Sequence, residues 1–286
     1  MTAHLLTALV IAFAAGACSP EPPSKPRAAP PAGADPAPIP AKTVVLTFDD
    51  AFRSHLDFVA PILGHHGFGA TFFITARWMD DREHYLDFEG VAALHRLGFE
   101  IGNHTHDHTY HFSAEDAPAL PGQIRRLDEA LAAVGVPRPV TFGWTANSFG
   151  PEALGLLRDE GYRFARRGRG PEYPLSGLSR GARYDPRLHH RLLIPASVVN
   201  SEWTVPHFRS LAREAVAGTA MVFQFHGVPD HAGPHLSVRP DTFRAFMAVL
   251  AEEGFNVLAI RDLSRYGVER IPSQDPMTKV RYSSFD

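Results

Sequence analysis

From residue 43 onward, short apolar runs alternate with amphipathic stretches, and this alternation limits the fold more than any other feature of the chain. The runs at 43–48, 70–74, 99–103, 140–144, 192–199, 221–225 and 255–260 are brief and rich in Val, Ile and Phe, as buried strands are. Between them, residues 54–65, 88–97, 122–134, 151–161, 205–217 and 241–253 carry apolar side chains at helical spacing. Strands that alternate with helices imply βα units and a parallel sheet. About seven units predict an α/β fold, a distorted (β/α) barrel forming a single catalytic domain over residues 43–270, with its chemistry at the C-terminal strand ends. The arginine-rich stretch between 161 and 192 has neither period and is expected to be irregular.

The N-terminal segment reads differently. Residues 5–15 are apolar but too few to span a bilayer, and Gly16, Ala17 and Cys18 follow. Residues 1–18 therefore read as an export signal. The run Ala15-Gly16-Ala17-Cys18 resembles a bacterial lipobox, which implies a lipid on Cys18 and membrane attachment; the rival reading is a plain cleaved signal. Residues 19–42 contain nine prolines in 24 positions and read as a semi-rigid spacer. Residues 271–286 form a C-terminal tail. The expected location is the cell envelope or the space outside it.

Net charge is −3, which gives no footprint for nucleic acid. Cys18 is the only cysteine, so an intramolecular disulfide and a cysteine-ligated zinc are both excluded. Sixteen histidines remain to hold any metal, together with carboxylates.

Three polar clusters fall at strand C-termini: Asp49-Asp50 after 43–48, His104-Thr-His-Asp-His108 after 99–103, and His226 after 221–225. Taken as one helical turn, the second would place His104 and His108 on one face. With a carboxylate they make a His₂Asp set that leaves coordination positions open, as catalytic zinc does. Adjacent aspartates diverge, so one is expected to bind the ion and the other to face the water; spacing does not say which. A remote histidine would protonate a leaving amine. Such a set hydrolyses amides or esters.

At these residues the chain resembles the polysaccharide deacetylase family, the NodB-type carbohydrate esterases. Thr47-Phe48-Asp49-Asp50 is similar to the family's first motif, His104-Thr-His-Asp-His108 to its H-[S/T]-x-x-H motif, and Phe223-Gln-Phe-His226 to its fifth. The resemblance implies a divalent ion, usually Zn²⁺, held by Asp50, His104 and His108, with Asp49 as general base and His226 as general acid. It implies removal of N-acetyl groups from an acetylated, envelope or extracellular polysaccharide. Two rivals stay open: O-deacetylation of a xylan-like polymer or hydrolysis of a cyclic amide on the same fold, and a carbohydrate-binding protein without turnover.

The chain departs from the family's third motif. Residues 142–150 lack the arginine that braces the base aspartate and the prolines that follow it. Trp144 is a candidate aromatic wall or core residue, and Asn147 a candidate polar contact. Arg166, Arg167 and Arg169 are candidates for the missing brace or for solvated charge. The fourth motif is not recognisable, and Asp230 is a candidate orienter of His226. The remaining histidines, such as His65, His66, His106, His189 and His190, are expected on loops or the surface, and Tyr110 and Trp203 either against sugar or in the core.

Overall fold

The computed structural model describes residues 37–110, 113–168, 180–229 and 235–268. The expected signal, Cys18, most of the spacer, Arg169, Asp230 and the tail lie outside them. Strand β1 (Thr43–Asp49) is buried along its whole length, and its two faces serve different ends. Val44, Leu46 and Phe48 pack outward into the main apolar core beneath the helices, whereas Val45 joins a second cluster in the barrel interior. Successive side chains on a strand point to opposite faces. Thr47 and Asp49 therefore share the inner face with Val45, which delivers a carboxylate to the barrel interior at its C-terminal end.

The other elements repeat this arrangement. A π-helical turn (His55–Val59) runs into α1 (Ala60–His66), followed by β2 (Thr71–Ile74), α2 (Phe88–Arg96), β3 (Glu100–Asn103), α3 (Leu120–Ala133) and β4 (Thr141–Gly143). Then come α4 (Pro151–Asp159), β5 (Phe164–Arg166), β6 (Ser197–Val198), α5 (Val205–Ala212), β7 (Met221–Phe225), α6 (Pro240–Glu252) and β8 (Asn256–Leu258). The strands pair in parallel in the order β5-β4-β3-β2-β1-β7-β6, and β8 pairs with the first half of β1. The sheet curls until β5 meets the segment before β6: Ile194 N donates to Ala165 O at 2.8 Å, and Arg167 N to Ile194 O at 2.9 Å. The result is a distorted (β/α) barrel in one domain. Helix starts follow the sequence signals: Asp87 caps α2 through Gly90 N at 2.8 Å, and prolines open α4 and α6.

The helices fall where the periodicity puts them, within a few residues at each end. Three features differ. The middle stretch expected to be irregular contains β5, whose three residues Phe-Ala-Arg are too few to show a period. The run 192–199 splits into a bridge at Ile194 and the two-residue β6, because it serves two neighbours in turn. The folded body also begins inside the expected spacer: Ile39 is buried, and its carbonyl accepts from Gly218 N at 2.7 Å.

At the N-terminal end of the barrel a carboxylate, Glu100, is buried. Its Oε2 accepts from Thr71 Oγ1 at 2.6 Å and from the backbone N–H of Arg261 at 2.9 Å. Burial raises its pKa above the ordinary glutamate value, against the pull of those donors. A raised folded-state pKa means that stability is lost as pH climbs from the ordinary value through the raised one. Glu100→Gln keeps an acceptor for both donors and cannot ionise. Thermal melts should give the variant a higher Tm than wild type at pH 8 and little advantage at pH 4; an equal or lower Tm at pH 8 would contradict this.

Candidate active site

The loops that leave β1, β3 and β4 hold six of the seven non-glycine residues with positive φ among the described residues: Asp50, Ala51, Thr105, His108, Ala146 and Asn147. Such a conformation costs an L-residue about 1–2 kcal/mol. Its concentration at the C-terminal ends of these three strands marks where the backbone is bent to aim side chains.

Asp50 lies in the first of these bends, and its two oxygens serve different neighbours. Oδ1 is 3.4 Å from His108 Nε2 and 3.6 Å from His104 Nε2, while Oδ2 is 3.9 Å from His226 Nε2. One donor atom from each of Asp50, His104 and His108 lies within 4.8 Å of the others. Donors at about 2.1 Å from a tetrahedral ion stand roughly 3.4 Å apart, so the spacing and the His₂Asp chemistry both fit a zinc-like cation. His104 Nδ1 donates to Gly143 O at 2.6 Å, which turns the Nε2 lone pair toward Asp50. Burial lowers the pKa of His104 to about 4, and burial together with the charge of His104 lowers that of His108 to about 3. Both imidazoles are thus neutral, the form that ligates metals.

The pair does not sit on a helical turn. Thr105 and His108 have φ of 60° and 54°, and the segment is a loop. The histidines converge because the loop is folded back on itself, with Thr109 N donating to Thr105 Oγ1 at 3.1 Å.

Asp49 is 1% exposed, one strand position deeper than Asp50. Arg166 Nη2 donates to both of its oxygens, at 2.8 and 2.7 Å, and Gln224 Nε2 donates to Oδ2 at 2.9 Å. Burial would raise the Asp49 pKa, but the Arg166 guanidinium, with His104 and His226, more than offsets it and holds the carboxyl below the ordinary value. Arg166 itself is fully buried, with its guanidinium over the Phe73 ring. The brace absent from residues 142–150 is therefore present one strand further along. Gly143 makes room for it: a Cβ there would stand 3.0 Å from Arg166 Nη2 and 2.9 Å from His104 Nδ1.

Arg167 is also buried, over Phe149, and neither arginine is a solvated charge. Asn147 Oδ1 accepts from Gly168 N at 2.6 Å and ties the β4 exit loop to the end of β5. Trp144 and Trp203 are core residues, with the Trp144 indole N–H bonded to Leu192 O at 2.8 Å. His189 and His190 are buried loop residues that accept from backbone N–H groups.

Two contributors have no signal in the sequence pattern. His55, buried against Phe48, Phe52 and Phe72, donates from Nε2 to the carbonyl of His226 at 3.1 Å and so fixes the end of β7. Burial lowers its pKa to about 4, so it is a neutral donor. Trp78, half-buried, packs 4.9 Å from the His108 ring, and the more exposed Tyr110 lies 6.2 Å from it. Together they form an aromatic rim.

The polysaccharide deacetylase family model matches residues 37–165. Among curated proteins nothing matches. Solved structures of the same fold include the chitin deacetylase of the fungal pathogen Colletotrichum lindemuthianum, 16% identical over 79% of this chain and 88% of that one, with TM-score 0.56. The carbohydrate esterase domain of a multidomain xylanase from the hindgut metagenome of Trinervitermes trinervoides is 15% identical over 79% and 92%, with TM-score 0.55. A family 4 carbohydrate esterase pseudoenzyme from Bacillus anthracis is 19% identical over 80% and 69%, with TM-score 0.52. At these identities the structures share a fold. Residues 37–165 thus resemble the polysaccharide deacetylase family, within a fold that solved deacetylase structures share.

Proposed function

We propose that the protein is a metal-dependent hydrolase that removes N-acetyl groups from an extracellular or cell-envelope polysaccharide. One arrangement carries the reading: Asp50 presents one oxygen to His104 and His108 and the other to His226, beside an Asp49 that Arg166 keeps ionised. A divalent cation held by Asp50, His104 and His108, with zinc as the ion we assign, supplies Lewis acidity toward the acetyl carbonyl and acidifies water. Asp49 is fixed as a carboxylate and takes the proton of the attacking water. His226 faces the far oxygen of Asp50 and delivers a proton to the departing nitrogen. Its position is held from behind by His55 and by the bond from Val228 N to Ser54 Oγ at 3.0 Å.

The half-exposed faces of Trp78 and Tyr110 beside His108 suit the flat apolar side of a sugar ring. The export signal and spacer expected from the sequence favour a polymer outside the cytoplasm, reached either by a secreted protein or by one anchored through Cys18. No helix among the described residues is long and apolar enough to cross a membrane. The xylan O-deacetylase reading uses the same residues and differs only in the leaving atom.

Acetate release from acetylated chito-oligomers, peptidoglycan glycan strands, acetylated xylan and a cyclic imide separates the substrates. N-acetylated glycans should give the highest kcat/KM, and a preference for xylan would move the assignment to the ester. Excess chelator should abolish activity and added zinc should restore it; full activity in chelator would refute metal dependence.

Asp49→Asn should lower kcat by about 10²–10⁴, the usual contribution of a general base, with metal content unchanged. His226→Ala should also retain the ion and lose rate, whereas His104→Ala should lose the ion. Metal loss in His226→Ala would reverse the division of roles. Arg166→Ala leaves a buried carboxylate unpaired, so denaturant unfolding should show a loss of about 3–5 kcal/mol. A loss under 1 kcal/mol would mean that the pair is not formed in solution.

A further inference from the structure

Asp128 lies on α3, away from the proposed metal ligands, yet it is the deepest polar group on that helix and is 8% exposed. Its Oδ1 accepts from Asn103 Nδ2 at 2.8 Å and from the Tyr162 hydroxyl at 3.2 Å, and its Oδ2 from Arg138 Nε at 3.0 Å. Asn103 is fully buried at the last position of β3, directly before His104. The second hydrogen of its amide reaches the Ile124 carbonyl on the same helix at 3.2 Å. Both amide hydrogens are thereby committed to α3, which fixes the orientation of the amide. Its Oδ1 is left to accept from Thr105 N at 2.9 Å. Thr105 is the residue held at positive φ, the bend that brings His108 back toward His104.

A second tie to α3 lies two residues beyond Thr105, at Asp107. Gln123 and Asp107 exchange bonds, with Asp107 N donating to Gln123 Oε1 at 2.9 Å and Gln123 Nε2 to Asp107 Oδ2 at 3.1 Å. The loop that carries both histidines is thus clamped to one helix at two points.

We propose that Asp128 is a positioning residue for the metal-ligating loop, acting through Asn103 on the Thr105 bend. The proposal rests on the metal-site reading above. Without the Asp128 acceptor the Asn103 amide can rotate, the strained Thr105 loses its backbone bond, and the spacing of His104 and His108 relaxes. Interactions one step removed from a ligand typically alter metal affinity by about 10–100-fold.

The test uses the full chain and zinc alone, with affinity read by competition against a chromogenic chelator. Asp128→Ala should weaken zinc binding by about tenfold or more. Leu127→Ala, a neighbouring core truncation on the same helix, should lower Tm while leaving zinc affinity unchanged well below its melting point. Asn103→Asp sets two carboxylates against each other and should also weaken binding. Asp128→Asn alone keeps an oxygen that accepts from the Asn103 amide and should keep wild-type zinc affinity, a retention tied to the acceptor itself. Should Asp128→Ala not fold, the contrast between Asn103→Asp and Asp128→Asn carries the test. Wild-type zinc affinity in Asp128→Ala or in Asn103→Asp, or a loss in Asp128→Asn as large as in Asn103→Asp, overturns the role of Asp128 alone. Failure of the unsubstituted protein to bind zinc overturns the metal reading and this inference with it.

Discussion

The ion pair between Asp49 and Arg166 organises the interior of this barrel. Both groups are sealed from solvent, which is costly for two charges unless the geometry is close and further bonds satisfy what remains. Here one guanidinium nitrogen reaches both carboxylate oxygens, Gln224 adds a third bond, and Phe73 lies beneath the cation, while Nε and Nη1 of Arg166 are buried without a hydrogen-bond partner among the described residues. The pair joins β1 to β5 across the barrel. The end of β5 is also where Ile194 closes the sheet through backbone bonds. The contact that keeps Asp49 ionised is therefore made at the seam of the fold, and neither Asp49 nor the seam can shift alone.

Around this pair the helices supply rigidity and the loops absorb the strain. The outer face of β1 packs Val44, Leu46 and Phe48 against the helices, each worth about 1.5–3 kcal/mol when fully buried. That burial supports backbone bends at Asp50, Ala51, Thr105 and His108 that no short peptide would hold. The bends are anchored again from the side: His55 and Ser54 hold the exit of β7, and α3 holds the loop after β3.

Period and position made much of this legible in the sequence. The helices and most strands follow from the hydrophobic spacing, because each has one face on a core. The convergence of Asp50 with His104 and His108 follows from their places at strand ends, although the helical turn first invoked for the histidines is a strained loop. Individual contacts were less accessible. A three-residue strand such as Phe164–Arg166 carries no period, so the sequence could offer three arginines but not choose Arg166. His55 and Asn103 act through a carbonyl and a backbone N–H, and such bonds depend on register that composition does not encode.

The displaced arginine also shows what Asp49 requires of its surroundings. To stay ionised it needs a fixed positive charge at hydrogen-bond distance, not a charge from a given strand. β4 has Gly143 on its inner face, and only a glycine there leaves room for a guanidinium coming from β5 while its carbonyl receives His104. Replacing a buried ion pair by apolar side chains is often neutral or stabilising. Here Asp49, Arg166, Gln224 and Gly143 fit one another closely. Protonating Asp49 would leave the buried Arg166 cation unpaired, so the arrangement holds the carboxyl in its ionised form.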